Sequence, residues 1–428
     1  MARGNGHRLA ADVAIAGVGC SPFGSLLTTP SIAGLTLQEL AAVAAREALE
    51  DAGLRGPDID SVYVGNVMAQ TSHMPATYSQ LSRFFGTQLA AGVHIDCACT
   101  TTTVGVSLAA QAIASGTIDT ALVVGFEATG DAPDGLSPYK REPIDNATMW
   151  LWTDYCVNQA YGEAQGYEIF SSYNGIVGQG YMRKYGLSFA DYDRALFELC
   201  RTRRLHGSMN PKAVIQETLD DEAKRNGYDD PFEFWTSAAN PFMSWPARLR
   251  SLVHPVDGAS AIVLVRGDAA AGLPNAPIKI MGFGTAVSDL PWYTDDPTDW
   301  ALDRKAIARA FESSGVKPGD IDYLHCHDCS HIMSIVMAEE IGYLNPGEGL
   351  KAALEGRTRF DGDRPMTTHG GRHAFGHAWA ASAGSDVWEA VLQMRGKAGA
   401  RQIPKPPEVS ALMVQGYALA TNVLILGS

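Results

Sequence analysis

The chain has 428 residues, 46% hydrophobic and 19% charged, a globular balance that excludes a disordered chain. A formal net charge of -14 speaks against nucleic acid or an anionic membrane as the main partner, because both reward basic surfaces. No run of about 18 apolar residues appears and Met1 to Leu9 lacks the apolar core of a secretory signal, so a cytoplasmic protein without a membrane span is expected.

The first element is an apolar strand, VAIAGVGC from Val13. An amphipathic helix follows and ends at Gly53. A short acidic turn, Asp58-Ile59-Asp60, then leads into a second strand. The same order returns later in the chain. Residues 41–63 (AAVAAREALEDAGLRGPDIDSVY) recur as residues 303–325 (DRKAIARAFESSGVKPGDIDYLH), with Gly53 falling on Gly315 and Asp58-Ile59-Asp60 on Asp320-Ile321-Asp322. Upstream, the strand at Val13 resembles IKIMGFGTAVSD at Ile278.

The parallel extends to the next elements. In the first half Cys99 opens a helical run that ends at Gly116, before the apolar strand at Thr120. In the second half His377 opens a helical run from Trp379, before a strand at Val409. Alternating strands and helices predict α/β layers. Duplication predicts two such halves about a pseudo-two-fold axis, which brings the starts of the Cys99 and His377 helices together. The expected halves are 1–126 with 246–270, and 271–428. Residues 127–245 do not repeat and carry Trp150, Trp152, Tyr155, Tyr161, Tyr167, Phe170, Tyr173 and Tyr181, as in a segment that covers the site or packs over it.

Seven cysteines in a chain without a signal predict a reduced protein, and four of them pair closely as Cys97/Cys99 and Cys326/Cys329. A thiol at a helix N-terminus is expected to have a lowered pKa, because the helix dipole favours the thiolate; Cys99 is then a nucleophile. A neutral His377 at the opposite helix start would take its proton. The alternatives are a packed cysteine and a capping histidine. The run HCHDCSH holds His325, His327, Cys329 and His331, and His369, His373 and His377 follow at four-residue spacing. This is the residue set of a zinc site as well as of acid/base chemistry. Strand alternation separates His325 and His327 from Cys326, and no spaced CxxC pairs or HExxH occur, so no metal is expected. Two thiols and two imidazoles suit carbon–carbon bond chemistry on a thioester.

The duplicated halves, the Cys99 helix, HDCS at 327–330 and Gly376-His377 resemble the thiolase superfamily, and its sterol-carrier-protein-type branch in particular. SGTIDTALVVGFEATGDAP at 115–133, RRLHGSMNPKA at 203–213 and VHPVDGASAIVLV at 253–265 agree with the same pattern. The resemblance implies duplicated βαβαβαββ halves in an α/β/α/β/α arrangement with a helical loop insertion. It implies a thiolase using free coenzyme A as co-substrate, with no covalently bound cofactor, on a 3-oxoacyl-CoA. Cys99 would accept the acyl group, His377 would activate it, and His327 with His377 would form one oxyanion hole. Cys329 would be the acid/base thiol, and the backbone N–H groups of Cys99 and of the residue near Ala418 a second oxyanion hole.

Arg203, Arg204 and Arg372 are the basic groups considered for the coenzyme A phosphates. The chain departs from the family at Thr102 (in place of Gly), Ser330 (Phe), Ala378 (Pro) and QGYALAT at 415–421; these changes are expected to line the pocket and to suit a bulky, branched or aromatic acyl group, as in aromatic compound catabolism. A homodimer is implied, with a zinc-ribbon/OB-fold partner subunit as in some relatives. The alternatives are a retro-aldolase on a 3-hydroxyacyl-CoA, with Tyr293 and Tyr343 as acid/base groups, and a non-catalytic acyl-binding protein.

Overall fold

In the computed structural model, residues 8–67, 76–129, 169–288, 299–416 and 419–428 are described. The first half contributes strands β1 (Val13–Cys20), β2 (Ser61–Gly65), β3 (Ala91–Ile95) and β4 (Thr120–Ala128). A small hairpin, β5 (Phe242–Ser244) and β6 (Ala247–Arg248), precedes β7 (Asp257–Arg266). The second half contributes β8 (Ile278–Val287), β9 (Tyr323–Cys326), β10 (Val409–Gly416) and β11 (Ala420–Gly427). The large sheet runs β3-β2-β4-β7-β1-β8-β11-β10-β9. Read outward from its middle, β1-β7-β4-β2 on one side matches β8-β11-β10-β9 on the other. The halves meet where Ala14 pairs with Lys279 and Ile15 with Ile278.

The helices divide by which face of a half-sheet they cover. Helix Thr101–Ala114 touches β4 and β2 of its own half and β11 of the other; helix Trp379–Met394 touches β7, β4 and β10. These two fill the centre between the half-sheets. Leu37–Ala52 lies on β1 and β7, and Ala301–Ser314 on β8 and β11. Alternation along β1 divides the apolar core accordingly: Val13 and Ile15 join the central cluster, whereas Ala14 and Ala16 join the outer one. The layered α/β/α/β/α fold is therefore present. Helices Ile169–Tyr185, Phe189–Ser208, Leu219–Arg225 and Pro231–Thr236 cover the second half. Among the described residues, no helix is long and apolar enough to cross a membrane.

The repeat has a local physical cause. Helix Leu37–Ala52 begins at a Thr36/Glu39 capping box, and both outer helices end at a left-handed glycine, Gly53 (φ 67°) and Gly315 (φ 75°). Each acidic turn then does the same two tasks. The first carboxylate caps a short 3-10 turn: Asp58 accepts from Arg55 N at 2.8 Å and Asp320 from Lys317 N at 2.9 Å. The second receives the chain entering the next strand. Asp60 accepts from Asp119 N and Thr120 N at 2.9 and 3.0 Å, and Asp322 from Glu408 N and Val409 N at 2.9 and 3.0 Å. The outer helices pack against glycines of the two middle strands, β1 and β8. A Cβ at Gly19 would collide with the carbonyl of Ala44, and one at Gly284 with that of Ala306.

Because each second aspartate carries two backbone hydrogen bonds to a charged acceptor, Asp60→Ala and Asp322→Ala are each expected to cost about 1–3 kcal/mol. Thermal unfolding checks this; an unchanged midpoint in either variant would show that its half does not depend on the anchor.

Candidate active site

Cys99 lies on the turn between β3 and the central helix Thr101–Ala114. The residue before it, Ala98, has φ 50°, a left-handed conformation uncommon outside glycine and characteristic of functional turns. The end of β10 presses on this turn, so a Cβ at Gly416 would lie 2.9 Å from Ala98 Cβ and 3.2 Å from Cys99 N. His377 precedes the other central helix and is fixed through its main chain. Its N–H donates to His254 O at 2.8 Å, and its carbonyl accepts from Val256 N at 3.1 Å.

The two central helices thus deliver Cys99 and His377 to one point. Cys99 Sγ is 3.3 Å from His377 Nε2, and both residues are buried. On the far side of the ring, Nδ1 lies 3.0 Å from Ser382 Oγ, which also accepts from Ala378 N at 2.9 Å. With Nδ1–H donating to Ser382, Nε2 is the nitrogen left to accept the thiol proton. His327 follows the end of β9, where its N–H donates to Met413 O at 2.8 Å. Its ring stands edge-on to His377 at 5.3 Å between centroids. Ligand atoms of Cys99, His327 and His377 all lie within 4.8 Å of one another. Cys329 joins these three in lining a cavity of about 450 Å³, whose remaining walls are mostly apolar, among them Leu252, Val253, Pro255 and Trp379.

Burial decides the protonation states. It pushes the Cys99 thiol up to about 12, outweighing the opposing pull of Arg372. It also raises the Cys329 thiol, with Cys99 adding to the effect, and holds the His377 and His327 imidazoles well below their usual range. The expected lowering of the Cys99 pKa is therefore corrected. The residue is buried before the helix start, and the cost of desolvating the thiolate exceeds the gain from the helix end. At neutral pH the pair is a thiol and a neutral imidazole, so attack requires proton transfer to His377.

Other expectations are also corrected. Arg203, Arg204 and Arg372 do not form a phosphate site, because each is buried in an internal ion pair. Arg203 Nε donates to Asp328 at 2.8 Å, Arg204 to Glu222 at 2.7 Å, and Arg372 bonds Asp386 through two nitrogens at 2.6 and 2.5 Å. Thr102, Ser330 and Ala378 do not line the cavity. Thr102 Oγ1 donates to Ala380 O at 2.5 Å, tying the central helices together, and Ser330 Oγ donates to Asn174 Oδ1 at 2.5 Å. Only Gln415, of the divergent positions described, reaches the cavity.

Tyr343 is a packing residue whose hydroxyl donates to the carbonyls of Asp322 and Pro365 at 3.1 and 3.2 Å. Tyr293, Ala418 and the aromatic residues of the cover up to Tyr167 fall outside the described residues. In the described part of the cover, Tyr173 lines the cavity, whereas Tyr181 packs away from it and donates to Glu339 at 2.5 Å.

Strand alternation parts His325 from Cys326, which packs in the cluster on the other face of β9, and the end of the strand parts His325 from His327. His325 points from β9 into the central layer, where it lies 3.3 Å from His369 and 3.3 Å from Asp386; His327, past the strand end, faces Cys99. Sequence reasoning missed Ser382, whose signal was a serine on the first turn of the His377 helix. It also missed the buried carboxylate of Asp303, which no local pattern marks.

Comparison with known proteins agrees with this geometry. The family description "Thiolase, N-terminal domain" matches residues 13–168, and "Thiolase C-terminal domain-like" matches residues 292–428. The chain is 28% identical over 397 residues to an acetyl-CoA acetyltransferase of Methanothermobacter thermautotrophicus, covering 92% of this chain and 93% of that protein. It is 24% identical over 403 residues to sterol carrier protein 2 of Bos taurus, covering 92% of this chain and 68% of the relative. Among solved structures, the Ltp2-ChsH2(DUF35) aldolase superposes with a TM-score of 0.71 at 22% identity, covering 98% of each chain. With both halves matched, in order, on a duplicated fold that joins a thiol to an imidazole, the chain belongs to the thiolase superfamily, in its sterol-carrier-protein-type branch, and is an acyltransferase.

Proposed function

We propose that the protein cleaves or forms a 3-oxoacyl-CoA, with free coenzyme A as co-substrate, through an acyl-Cys99 intermediate. The observation that carries this reading is the 3.3 Å contact between Cys99 Sγ and His377 Nε2 at a cavity that His327 and Cys329 also line. In thiolysis, His377 Nε2 takes the thiol proton as Sγ attacks the 3-oxo carbonyl. The carbon–carbon bond then breaks, leaving the acyl group on Cys99 and the electron pair on the departing thioester enolate. Cys329 protonates that enolate carbon, and the imidazoles of His327 and His377 donate to its oxygen. The thiol of coenzyme A gives its proton to the Cys329 thiolate and attacks acyl-Cys99; Cys99 leaves as the thiolate and takes back the proton held by His377, which restores the starting state.

A cavity of about 450 Å³ with Tyr173 and Trp379 on its walls supports a bulky, branched or aromatic acyl group. The corrected placement of Tyr343 removes one of the two groups considered for aldol cleavage. The proposal includes a homodimer. β3 is the last strand of the sheet, and Val93 on it is 42% exposed beside Leu89, Phe84 and Tyr78. An open edge of this kind is self-complementary about a two-fold axis. A zinc-ribbon/OB-fold partner subunit is also part of the proposal, supported by the likeness in fold to the Ltp2-ChsH2(DUF35) aldolase.

Cys99→Ala is expected to abolish both turnover and the acyl-enzyme seen by intact-mass spectrometry; a variant that retains coenzyme A-dependent cleavage would sink the assignment. His377→Gln is expected to lower kcat by roughly 10²–10⁴-fold. The raised thiol predicts that alkylation of Cys99 by iodoacetamide accelerates steadily from pH 7 to pH 9, since the thiolate fraction grows throughout that range; a plateau already reached at pH 7 would contradict it. Val93→Asp is expected to lower the mass measured by light scattering from dimer to monomer, and an unchanged mass would exclude the β3 edge as the interface.

A further inference from the structure

The duplicated halves allow each buried position to be compared with its counterpart, and one group departs from the pattern. The repeat aligns Asp303 with Ala41. Strand register extends the comparison. β2 pairs Ser61 with Ala121, and β9 pairs Tyr323 with Ser410, which aligns Gln415 with Phe126. Cross-strand pairing then matches Thr421, opposite Gln415, with Ala259, opposite Phe126. In the first half Ala41, Phe126 and Ala259 are fully buried in one apolar core. In the second half the same three positions are Asp303, Gln415 and Thr421, also buried.

An apolar trio has thus become a hydrogen-bonded polar one. Gln415 Nε2 donates to both carboxylate oxygens of Asp303 at 3.0 and 3.3 Å, and Thr421 Oγ1 donates to Asp303 as well. Burying a carboxylate is costly even when it is paired, and burial raises Asp303 to about 6, while the hydrogen bonds from Thr421 and Gln415 favour its ionised form. An ionised carboxylate only accepts hydrogen bonds, so Asp303 fixes which way the Gln415 amide points. The amide nitrogen is held against Asp303, and the amide oxygen takes no hydrogen bond among the described residues. Gln415 is 3% exposed and lines the catalytic cavity beside Tyr173 and Cys329. Met243 and Leu249, which also line that cavity, are 51% and 45% exposed and mark where it opens to solvent.

We propose that Gln415, oriented by Asp303, is a specificity residue whose amide oxygen accepts a hydrogen bond from a hydroxyl on the acyl chain, so that the substrate is a hydroxylated acyl-CoA rather than a plain hydrocarbon one. The proposal rests on the thiolase reading for the site at which the acyl group lies. Gln415 faces the cavity, so once an acyl chain displaces solvent from its amide oxygen a donor on the ligand satisfies that acceptor, whereas a methylene in its place leaves it unsatisfied. Asp303 acts through Gln415 and is a positioning residue.

The test is calorimetric binding to the Cys99→Ala protein of hexanoyl-CoA and of its analogues carrying one hydroxyl at C3, C4, C5 or C6. At least one hydroxylated analogue is expected to bind about tenfold more tightly than hexanoyl-CoA. Adding Gln415→Met is expected to erase that preference while keeping side-chain volume. Adding Asp303→Asn, which is isosteric and frees the amide to turn, is expected to reduce it as well; a role confined to stability would move the melting temperature and leave the ratio alone. No hydroxyl preference at any position, or a preference that survives both substitutions, would overturn the proposal. The acyl-enzyme measurement on the unsubstituted protein judges the thiolase reading separately: its failure beside an intact hydroxyl preference counts against thiolysis only.

Discussion

The carboxylate of Asp328 holds together the segments on which the site is built. It lies between His327 and Cys329 and is fully buried. One oxygen accepts from Arg203 Nε at 2.8 Å, and the other from the backbone N–H of Arg372 at 2.8 Å. Gly371 approaches so closely, at φ 66°, that a Cβ there would overlap the carboxylate. From Arg372 the connection continues. Its carbonyl accepts from His254 N, whose own carbonyl accepts from His377 N, while Val253 N donates to Cys329 O. Three segments far apart in sequence, 252–256, 327–330 and 371–377, become one hydrogen-bonded unit. Breaking a buried pair of this kind costs about 3–5 kcal/mol, because it leaves the other charge without compensation. Arg203 and Arg372 therefore fix where His327, Cys329 and His377 stand.

That rigidity is matched by dryness. The same burial that raises both thiols lowers both imidazoles, so the resting site holds four neutral groups. Neutral groups at hydrogen-bond distance exchange protons without separating charge over a distance. In a low-dielectric cavity, fixed donors act more strongly on a developing enolate than they would in water. Ser382 contributes by holding Nδ1 of His377, which leaves Nε2 facing Cys99. Its position on the helix that begins next to His377 keeps this contact inside one rigid element.

Duplication supplies the scaffold, and departures from it supply the chemistry. The outer helices, their glycine ends and the paired aspartates are alike in the two halves because they meet the same demands of capping and close packing. The central helices differ at their starts, where one half presents a thiol and the other an imidazole. Asp303, Gln415 and Thr421 are a second departure, in a layer where the first half carries only apolar side chains. Polar groups in place of a packed core reduce stability, so this exchange is best understood by what it presents to the cavity.

The amino-acid sequence by itself determined the repeat, the alternation of strands and helices, and the meeting of Cys99 and His377. These follow from short-range periodicity, from glycine at left-handed helix ends and from the symmetry of a duplicated chain. Tertiary structure alone decided the fate of the charged residues. Arg203, Arg204 and Arg372 read as basic groups open to phosphate, yet folding pairs them with Asp328, Glu222 and Asp386, each on another element. It also decided the protonation of Cys99, since a helix start favours the thiolate and only the surrounding packing reveals how deeply the thiol is buried. The orientation of Gln415 belongs to the same class. It depends on Asp303 and Thr421 meeting across strand and helix, a contact between residues more than a hundred positions apart for which no local pattern exists.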